Sequence, residues 1–332
     1  MTILAIESSC DETSAAVLRD GQILSNVVAT QAIHRKYGGV VPELASRAHQ
    51  QHIVPVVAQS LADAGVTRQD LTAIAFTRGP GLLGALLVGT SFAKAMALGL
   101  GIPLIDVHHM QAHVLAHFIE KPHPAFPFLC LTVSGGHTQI VRLNGHLDME
   151  IIGQTQDDAV GEAFDKAAKL LELPYPGGPL VDKYAETGNP HRFAFPDVEM
   201  PGYDYSFSGF KTAFLYFLQK EKARNPNFVA ENLDDICASL RFALVRILLK
   251  KLKKAAQDTG IREIAIAGGV SANRGLRDTL AKEGEEQGWN VHIPKFEYCT
   301  DNAAMIAMAA YYKALRGDFA DQSVSAMPRM EW

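Results

Sequence analysis

The alternation of apolar and polar residues predicts two short β-hairpins in different parts of the chain. The first covers Leu4–Leu18 and turns at a polar stretch of Ser, Cys and Asp, and the second covers Leu131–Leu143 and turns at Ser134–His137. Each consists of a β-rich run, a tight polar turn and a second β-rich run, the pattern typical of a hairpin. The similarity of the two segments indicates an internal duplication.

A second pair of segments supports the duplication. Ala73–Thr77 leads into Gly79-Pro80-Gly81 and a long helical pattern, and Glu263–Ala267 leads into the glycine loop Gly268–Asn273 and another helix. Ser271 is the expected N-cap of that second helix. Strands followed by helices predict an α/β protein with mixed sheets, and a ligand is expected in the crevice between the two halves.

The region between about Gly161 and Lys254 departs from this rhythm, because several prolines interrupt a helical periodicity. We expect a largely helical elaboration of the second half. Its end, Asp234–Gln257, interleaves Arg and Lys with Leu, Ile and Val, which predicts an amphipathic helix with basic residues outward. This face is either a solvated surface or an RNA-facing patch.

Composition limits the classes of function that fit the chain. Its 332 residues, 48% hydrophobic and 20% charged, suit two soluble domains, and a net charge of −5 argues against coating nucleic acid by bulk electrostatics. The four cysteines form no close pair, so we expect small buried residues in a reducing cytoplasm. Met1–Glu7 reads as a first strand and not a signal peptide, and Gly81–Ile102 as a buried helix and not a membrane span.

Two glycine loops have the chemistry of phosphate sites. Ser134–Thr138 lies in a hairpin turn and Gly268–Asn273 precedes a helix, so backbone N–H groups in both can bind a nucleotide. The spacing Gly79-x-Gly81-x-x-Gly84 also fits a dinucleotide fingerprint, but it follows more than one strand and its expected acid appears only as Asp106. A nicotinamide-dependent oxidoreductase is therefore disfavoured, and a P-loop sequence is absent.

A histidine pair suggests a metal site. His109 and His113 follow the apolar strand Leu104–Val107, and a helix beginning there places both on one face, as ligands or as a packed helix face. Asp301, in a polar loop before a helix of small residues, can supply a third ligand, and such a set suits iron or zinc. The glutamate base of a zinc peptidase is missing between the histidines, which disfavours peptide hydrolysis. Asp11 and Glu12, after the first strand, can hold a cation-bound phosphate, act as a base or stabilise the turn.

The whole chain resembles the universal tRNA threonylcarbamoyladenosine synthesis family (bacterial TsaD). The resemblance is carried by sequence blocks in the family's order: Glu7–Thr13, Gly38–Arg47, Gly79–Leu82, His108–His113, Val133–Thr138, Gly161–Lys166, Tyr175–Pro179, Ser206–Thr212, Gly268–Asn273 and Cys299–Asn302. It implies a duplicated, two-lobed fold of the actin, sugar-kinase and heat-shock-ATPase (ASKHA) type with a helical insertion. We expect one lobe at residues 1–124, joined by a C-terminal helix at about 303–332. The second lobe is expected at 125–302, with its elaboration at about 157–254.

The resemblance also implies a reaction and its site. His109, His113 and Asp301 would bind one divalent metal, usually iron, with zinc as the other choice. The substrate, threonylcarbamoyl-AMP, is expected to be held as an AMP-type nucleotide by Thr132, Val133, Ser134, Gly135, Gly136, Asp165, Gly178, Asp182 and Asn273. Its threonylcarbamoyl group would move to the exocyclic amine of the adenosine 3′ to the anticodon in tRNAs that read ANN codons. Asp11 or Glu12 is the expected acceptor of the amine proton.

The implied partners are the tRNA, a smaller ASKHA paralogue (TsaB-like) that forms a heterodimer, and an ATPase (TsaE-like). A separate synthase would make threonylcarbamoyl-AMP from threonine, bicarbonate and ATP, and no membrane is involved. The alternative is a nucleotide-binding ASKHA regulatory module without transfer chemistry. Retention of the two histidines, Asp301 and the Asp11–Glu12 pair favours catalysis, because a binding module does not require a metal triad.

Overall fold

The protein is described here by a computed structural model that covers residues 1–332, with all side chains except those of Ala32 and Arg35. The described strands are β1 Thr2–Glu7, β2 Glu12–Arg19, β3 Gln22–Thr30, β4 Ala73–Gly79, β5 Leu104–His108, β6 Phe128–Val133, β7 Thr138–Gly145, β8 Asp148–Gln154, β9 Glu263–Ala267 and β10 Asn290–His292. The α-helices are α1 Pro42–Asp63, α2 Leu83–Leu100, α3 His109–Leu115, α4 Val160–Leu170, α5 Gly178–Tyr184, α6 Ser208–Arg224, α7 Phe228–Thr259, α8 Arg274–Gln287 and α9 Ala303–Leu315.

The chain forms two compact units, each built on one five-stranded mixed sheet. Unit 1 contains Met1–His123 and Pro294–Trp332, and unit 2 contains Pro124–Ile293. The strand order is β3-β2-β1-β4-β5 in unit 1 and β10-β9-β6-β7-β8 in unit 2. In both sheets a central strand pairs antiparallel with the next strand in the chain and parallel with a strand that follows a helix. The predicted duplication is therefore confirmed, down to the order and direction of the strands.

Both predicted hairpins are present. In the first, Glu7 pairs with Ser14 across the turn, and in the second, Val133 pairs with Thr138. Their turns come at the same edge of each sheet, at the carboxyl end of a fully buried central strand. This position is where α/β sheets present ligand-binding groups.

Unit 1 encloses its sheet between helices. The pair α1 and α2 packs on one side, with Ile53, Val57 and Ala93 against Leu4 and Phe76 in one apolar cluster. Helix α9 packs against the strands β1, β2 and β5, and nearly all its small residues are buried, which explains why that helix is so rich in alanine.

Helix α2 is long and apolar enough to cross a membrane by length and composition alone, and a third of its apolar window is buried. It packs against α1 and β4 in unit 1, which favours the core helix expected from the sequence. Cys130, Cys237 and Cys299 are buried as expected, but Cys10 is only partly buried, so the prediction is wrong for that residue. Burial raises the pKa of the Cys237 thiol to about 12.

The boundary after unit 2 differs from the expected one. The return to the first lobe is expected at about residue 303, whereas the segment from Pro294 onward already belongs to unit 1. Within that segment Lys295 Nζ lies 2.6 Å from Glu120 Oε1, and Asp301 lies beside His113. These contacts explain why the loop before α9 folds with unit 1, and they place Asp301 in the same unit as both histidines.

The helical elaboration of unit 2 is present as α4 to α7. The predicted basic helix lies within α7, and most of its basic residues are exposed or half-buried as expected, but Arg241 is largely buried in an ion pair with Asp182. Lys250 pairs with Asp197 at 2.9 Å, and Lys253 pairs with Glu283 at 2.9 Å. Because neighbouring acids neutralise this face, the structure favours a solvated surface over an RNA-facing patch.

Ser271 is not the N-cap of α8, so that prediction is wrong. Ser271 lies buried in a 3-10 turn that continues from Gly269 to Ala272, and α8 begins two residues later. The capping side chain is Asn273, whose Oδ1 accepts a hydrogen bond from the backbone N–H of Leu276 at 3.0 Å. The 3-10 turn shifts the start of α8, so the N-cap is Asn273, which is also one of the predicted nucleotide-binding residues.

Candidate metal centre and nucleotide pocket

The two histidines of the predicted pair lie one turn apart on α3. His108 ends β5 and acts as the N-cap of the helix, because its ring accepts from the backbone N–H of Met110 at 3.2 Å and of Gln111 at 3.4 Å. This cap starts the helix at His109, and the rings of His109 and His113 meet edge to face with centroids 4.7 Å apart. This geometry supports the prediction that the side chains of His109 and His113 lie on one face of the helix, close to each other.

Asp301 completes a cluster of three candidate ligands. Its Oδ1 lies 3.2 Å from His113 Nε2 and 3.4 Å from His109 Nε2. One ligand atom from each residue lies within 4.8 Å of the other two, and both histidines are buried. Among the described residues, this is the group of His, Cys, Asp and Glu side chains arranged to hold a metal ion.

A buried glutamate fixes the orientation of His109. Glu7, at the end of β1, has 0% exposure, and its Oε2 lies 3.1 Å from His109 Nδ1. The backbone N–H of Ser9 donates to Glu7 Oε1 at 2.5 Å, and the Thr77 hydroxyl donates to Oε2. Because the Glu7 carboxylate can only accept, Nδ1–H of His109 donates to it, and the Nε2 atom faces Asp301 and His113, where its lone pair becomes available once Nε2 loses its proton.

This arrangement passes a chemical test for a metal site. Metal-binding histidines in proteins commonly donate their other ring N–H to a carboxylate, as His109 does to Glu7. Two imidazole nitrogens and one carboxylate oxygen suit a borderline divalent ion such as Fe²⁺ or Zn²⁺. The donor set therefore fits the group that the sequence predicts.

The ionisation of the cluster fits the same interpretation. Burial opposes charge at all three residues, but the Asp301 and Glu7 charges raise the pKa of His109 above its ordinary value. At His113, burial has a larger effect than the hydrogen bond to Asp301, so the pKa of His113 is lowered. At Asp301, burial opposes ionisation, but the charge of His109 holds the pKa of Asp301 low. The buried carboxylates thus require a positive charge between them, which a proton or a metal ion supplies.

Asp11 lies on the first hairpin turn of unit 1 and Glu12 begins β2, near enough to the cluster for the charges of Asp301 and Glu7 to act on Glu12. Burial raises the pKa of Glu12 to about 9, and the negative charges of Asp301 and Asp11 add to the effect. Glu12 therefore carries a proton at neutral pH in the metal-free protein. His49 supports the turn from α1, since its Nε2 lies 3.0 Å from the carbonyl oxygen of Cys10 and its Nδ1 lies 2.8 Å from the Thr13 hydroxyl.

A cavity of about 320 Å³ in unit 2 collects most of the predicted nucleotide residues. Five of the nine line it, namely Gly135, Asp165, Gly178, Asp182 and Asn273. Thr132 and Val133 are fully buried at the end of β6, and Ser134 closes the hairpin turn by accepting from His137 N at 3.0 Å. Those three residues and Gly136 are absent from the lining and instead build the turn that carries Gly135.

The other lining residues were not predicted one by one, although all of them belong to the sequence blocks already singled out. They are Gly161, Phe164, Pro176, Pro179, Gly269, Val270 and Ala272. Gly161 shows why a glycine is required: a Cβ there would lie 2.4 Å from the carbonyl oxygen of Ser134, so only glycine lets α4 approach the hairpin turn. The glycine at the start of the block Gly161–Lys166 could therefore have indicated that two backbone segments pack closely there.

Two aspartates hold the backbone of the cavity in place. Asp165 Oδ1 accepts from the N–H groups of Gly177 and Gly178, both at 3.0 Å, and burial raises the pKa of Asp165. Asp182 Oδ2 accepts from the backbone N–H of Arg274 at 2.9 Å, at the start of α8. Both predicted side chains thus reach the cavity, and each is also part of its frame.

The dinucleotide interpretation stays disfavoured on structural grounds. The N–H of Gly81 donates to the carbonyl oxygen of Pro328 at 3.1 Å, and the N–H of Leu82 donates to that of Ser9 at 2.8 Å. Asp106 is bound by Arg78 and Lys313. The amides that would hold a pyrophosphate and the acid that would hold a ribose are therefore engaged within unit 1.

Comparison with solved structures agrees with the fold. The chain is 16% identical to HypF of T. kodakarensis, with a TM-score of 0.65 over 97% of this chain and 49% of that one. A ROK hexokinase from Thermus thermophilus gives a TM-score of 0.51 at 17% identity, over 96% of this chain and 100% of that one. Together with the duplicated sheets, these likenesses support the ASKHA fold expected from the sequence.

Sequence relatives identify the family. A tRNA N6-adenosine threonylcarbamoyltransferase of Cytophaga hutchinsonii is 64% identical over 99% of this chain and 96% of its own length. The sequence profile of TsaD, described as tRNA N6-adenosine threonylcarbamoyltransferase, matches residues 22–308. The chain therefore belongs to the TsaD family of tRNA N6-adenosine threonylcarbamoyltransferases.

Proposed function

We propose that this protein transfers the threonylcarbamoyl group of threonylcarbamoyl-AMP to the exocyclic amine of the adenosine 3′ to the anticodon, in tRNAs that read ANN codons. The observation that carries the proposal is the convergence of His109, His113 and Asp301 in one buried cluster of a TsaD-family chain. A module that only binds nucleotide does not require such a cluster, whereas group transfer from a mixed anhydride benefits from one.

The cluster would hold one divalent metal ion, with Fe²⁺ as the first choice and Zn²⁺ as the second. Such an ion, when bound, polarises an oxygen atom of the substrate and fixes its position. Glu7 orients the His109 ring for this role, and Ser9 and Thr77 hold Glu7 in turn. The contribution of the chain is a prearranged set of ligands in a site from which water is largely excluded.

The cavity of unit 2 would hold the AMP part of the substrate. The hairpin turn that carries Gly135 reaches the lining, where a backbone N–H suits a phosphate. Asp165, Asp182 and Asn273 fix the backbone around it. A firm hold on AMP stabilises the leaving group as the bond from the carbamoyl carbon to the phosphate oxygen breaks.

Asp11 or Glu12 would take the proton of the attacking amine. As the nitrogen bonds to the carbamoyl carbon, AMP leaves with the electron pair of the broken bond, and the amine proton passes to a carboxylate. Glu12 must first lose its own proton, because its pKa of about 9 keeps it neutral near pH 7, and a cation beside Asp301 favours that loss. Replacement of each by its amide should leave substrate binding intact and slow the transfer.

We also propose the expected partners and place the reaction in the cytoplasm. The outer faces of α1 and α2 expose Val54, Leu87 and Leu98, at 60%, 46% and 70% of their surface, and the two helices border an apolar groove of about 750 Å³. An exposed apolar face of this kind marks a protein interface, and we assign it to the smaller TsaB-like paralogue. A TsaE-like ATPase and a threonylcarbamoyl-AMP synthase complete the set.

The deciding experiment supplies the protein and its proposed partners with labelled threonine, bicarbonate, ATP and an unmodified tRNA that reads ANN codons. Label should appear in the tRNA, and a tRNA with guanosine at the target position should stay unlabelled. Threonylcarbamoyl-AMP added directly should give the same product without the synthase. A protein that binds AMP but labels no tRNA under these conditions would support the regulatory-module alternative and end the transfer proposal.

A further inference from the structure

A groove of about 720 Å³ lies in unit 2 between α7, the start of α8 and the loop after α5. Arg241 lines this groove, whereas Asp182 lines the smaller nucleotide cavity. Arg241 Nη1 lies 2.8 Å from Asp182 Oδ1, so this ion pair forms part of the wall that the two cavities share. Both side chains are largely buried, with 18% and 13% of their surface exposed.

The contacts of Arg241 fix Asp182 from several directions. Nη1 also donates to the carbonyl oxygen of Asp182 at 3.1 Å, and Nη2 donates to that of Ala185 at 3.1 Å. Both carbonyl groups lie at the C-terminal end of α5, where a positive charge is favourable. A guanidinium can bind them together because it presents several donors in a rigid plane. One arginine thus holds both the backbone and the carboxylate of Asp182.

The start of α8 is built to admit this arginine. A Cβ on Gly275 would lie 2.6 Å from Cδ of Arg241, so the arginine stem passes where any other residue would place a side chain. A guanidinium near a helix N-terminus is electrostatically unfavourable, and the Asp182 carboxylate offsets it by also accepting from Arg274 N at 2.9 Å. The close approach serves to hold the carboxylate.

We propose that Arg241 is a positioning residue for the nucleotide, acting through Asp182. A carboxylate has about four acceptor sites, two on each oxygen. Asp182 Oδ1 accepts from Arg241 Nη1 and from the N–H of Gly275 at 3.5 Å, whereas Oδ2 accepts from Arg274 N and keeps a second site. On AMP only the ribose hydroxyls and the adenine amine can donate to it, so Arg241 presets a carboxylate for one of these groups. The proposal rests on the AMP site of the proposed function.

The test measures AMP affinity by isothermal titration calorimetry in the full-length protein and in Arg241→Met and Arg241→Lys. Arg241→Met should weaken AMP binding on the order of tenfold, the effect of losing a charge-assisted contact. Arg241→Lys keeps the charge and should recover part of the loss. Thermal unfolding of each variant establishes that the affinities compare folded proteins.

Arg246→Met is the matched control. Arg246 lies on the same helix and lines the same groove, but its guanidinium lies over the Phe242 ring at 5.9 Å and not on Asp182. Arg246→Met removes the same charge but does not touch Asp182, so the substitution should leave AMP affinity nearly unchanged. If Arg246→Met lost as much AMP affinity as Arg241→Met, the effect would come from general attraction between positive charge and the AMP anion, and the proposal would be overturned.

A double-mutant cycle with Asp182→Asn separates positioning from a merely structural role. If Arg241 acts through Asp182, Arg241→Met should cause no further loss of AMP affinity in the Asp182→Asn background. Additive losses would contradict the proposal. Equal AMP affinities for the unaltered protein and Arg241→Met would overturn the role of Arg241. If the unaltered protein itself does not bind AMP, the nucleotide site of the proposed function is wrong instead.

Discussion

At the residue scale, the most informative side chain is one that the sequence pattern hides. Glu7 ends a strand of buried residues and reads as the first polar position of a turn. In the structure it is fully buried and bound to Ser9, Thr77 and His109. Burial of a carboxylate is costly unless donors surround it, and here one of the donors is a candidate metal ligand.

Replacement of Glu7 by glutamine should weaken metal binding by about 10- to 100-fold, the usual effect of losing such a partner. The amide cannot accept from both Ser9 N and His109 Nδ1 at its two ends. If its NH₂ faces His109, Nδ1 becomes the acceptor and the proton moves to Nε2, where it blocks the metal. Competition for Zn²⁺ against a chromophoric chelator measures the change.

Thr77→Val is the control for Glu7→Gln. It also removes a hydrogen bond to Glu7, but it leaves the carboxylate beside His109. Its effect on Zn²⁺ affinity should be several times smaller than that of Glu7→Gln. Equal affinities for the unaltered protein and Glu7→Gln would show that the glutamate does not orient the ligand.

At the element scale, periodicity predicted the structure well wherever contacts are local. The two hairpins, the helix that begins at His109 and the basic helix within α7 are all present. Ser271 failed as a cap because a 3-10 turn follows β9, and one extra turn of chain changes which residue reaches the N–H groups. The helix boundary was thus decided by a local turn type that Gly268–Asn273 does not reveal.

Glu7 and Arg241 escaped the sequence analysis for a different reason. Their partners, His109 and Asp182, lie far away in the chain and meet them only through the fold. The candidate triad was predictable because His109 and His113 share one helix turn and Asp301 lies in a polar loop before a helix of small residues, and the resemblance implies the same three residues. Side chains that support a site from a distant element carry no spacing signal.

The attachment of α9 to β5 gives a stability prediction. Asp106, at the middle of β5, lies 2.8 Å from Lys313 of α9 and 3.0 Å from Arg78 of β4. All three side chains are at most a quarter or so exposed, so loss of the carboxylate leaves two partly buried cations unpaired. Asp106→Asn should lower the free energy of unfolding by about 2 kcal/mol at pH 7, measured by urea denaturation.

This loss should depend on pH in a defined direction. Although burial opposes ionisation, Lys313 and Arg78 hold the pKa of Asp106 below its ordinary value of 3.8. The stabilisation is therefore present above about pH 4 and is lost as the pH falls through the lowered pKa. The difference between the unaltered protein and Asp106→Asn should be constant from pH 6 to 8 and shrink under acid. A difference that grows under acid would contradict the assignment.

At the scale of the whole molecule, the duplicated fold has divided the chemistry. Both units carry the same hairpin at the end of a central strand, but the hairpin of unit 1 lies beside the metal ligands and that of unit 2 borders the nucleotide cavity. Every candidate metal ligand belongs to unit 1 and every residue lining that cavity belongs to unit 2. Two copies of one design thus carry different candidate sites, which sequence similarity between the hairpins could not reveal.

This division predicts that binding of metal and binding of AMP can be lost separately. His113→Ala removes a metal ligand and should weaken Zn²⁺ binding by more than about 100-fold, while AMP affinity stays within about twofold. Asp182→Asn should do the reverse and weaken AMP on the order of tenfold with Zn²⁺ affinity unchanged. Both variants should lose transfer to tRNA, because the proposed reaction requires both ligands. If His113→Ala weakened AMP and Zn²⁺ by similar factors while its thermal unfolding was unchanged, the two sites would not be independent, and the assignment of one ligand to each unit would be wrong.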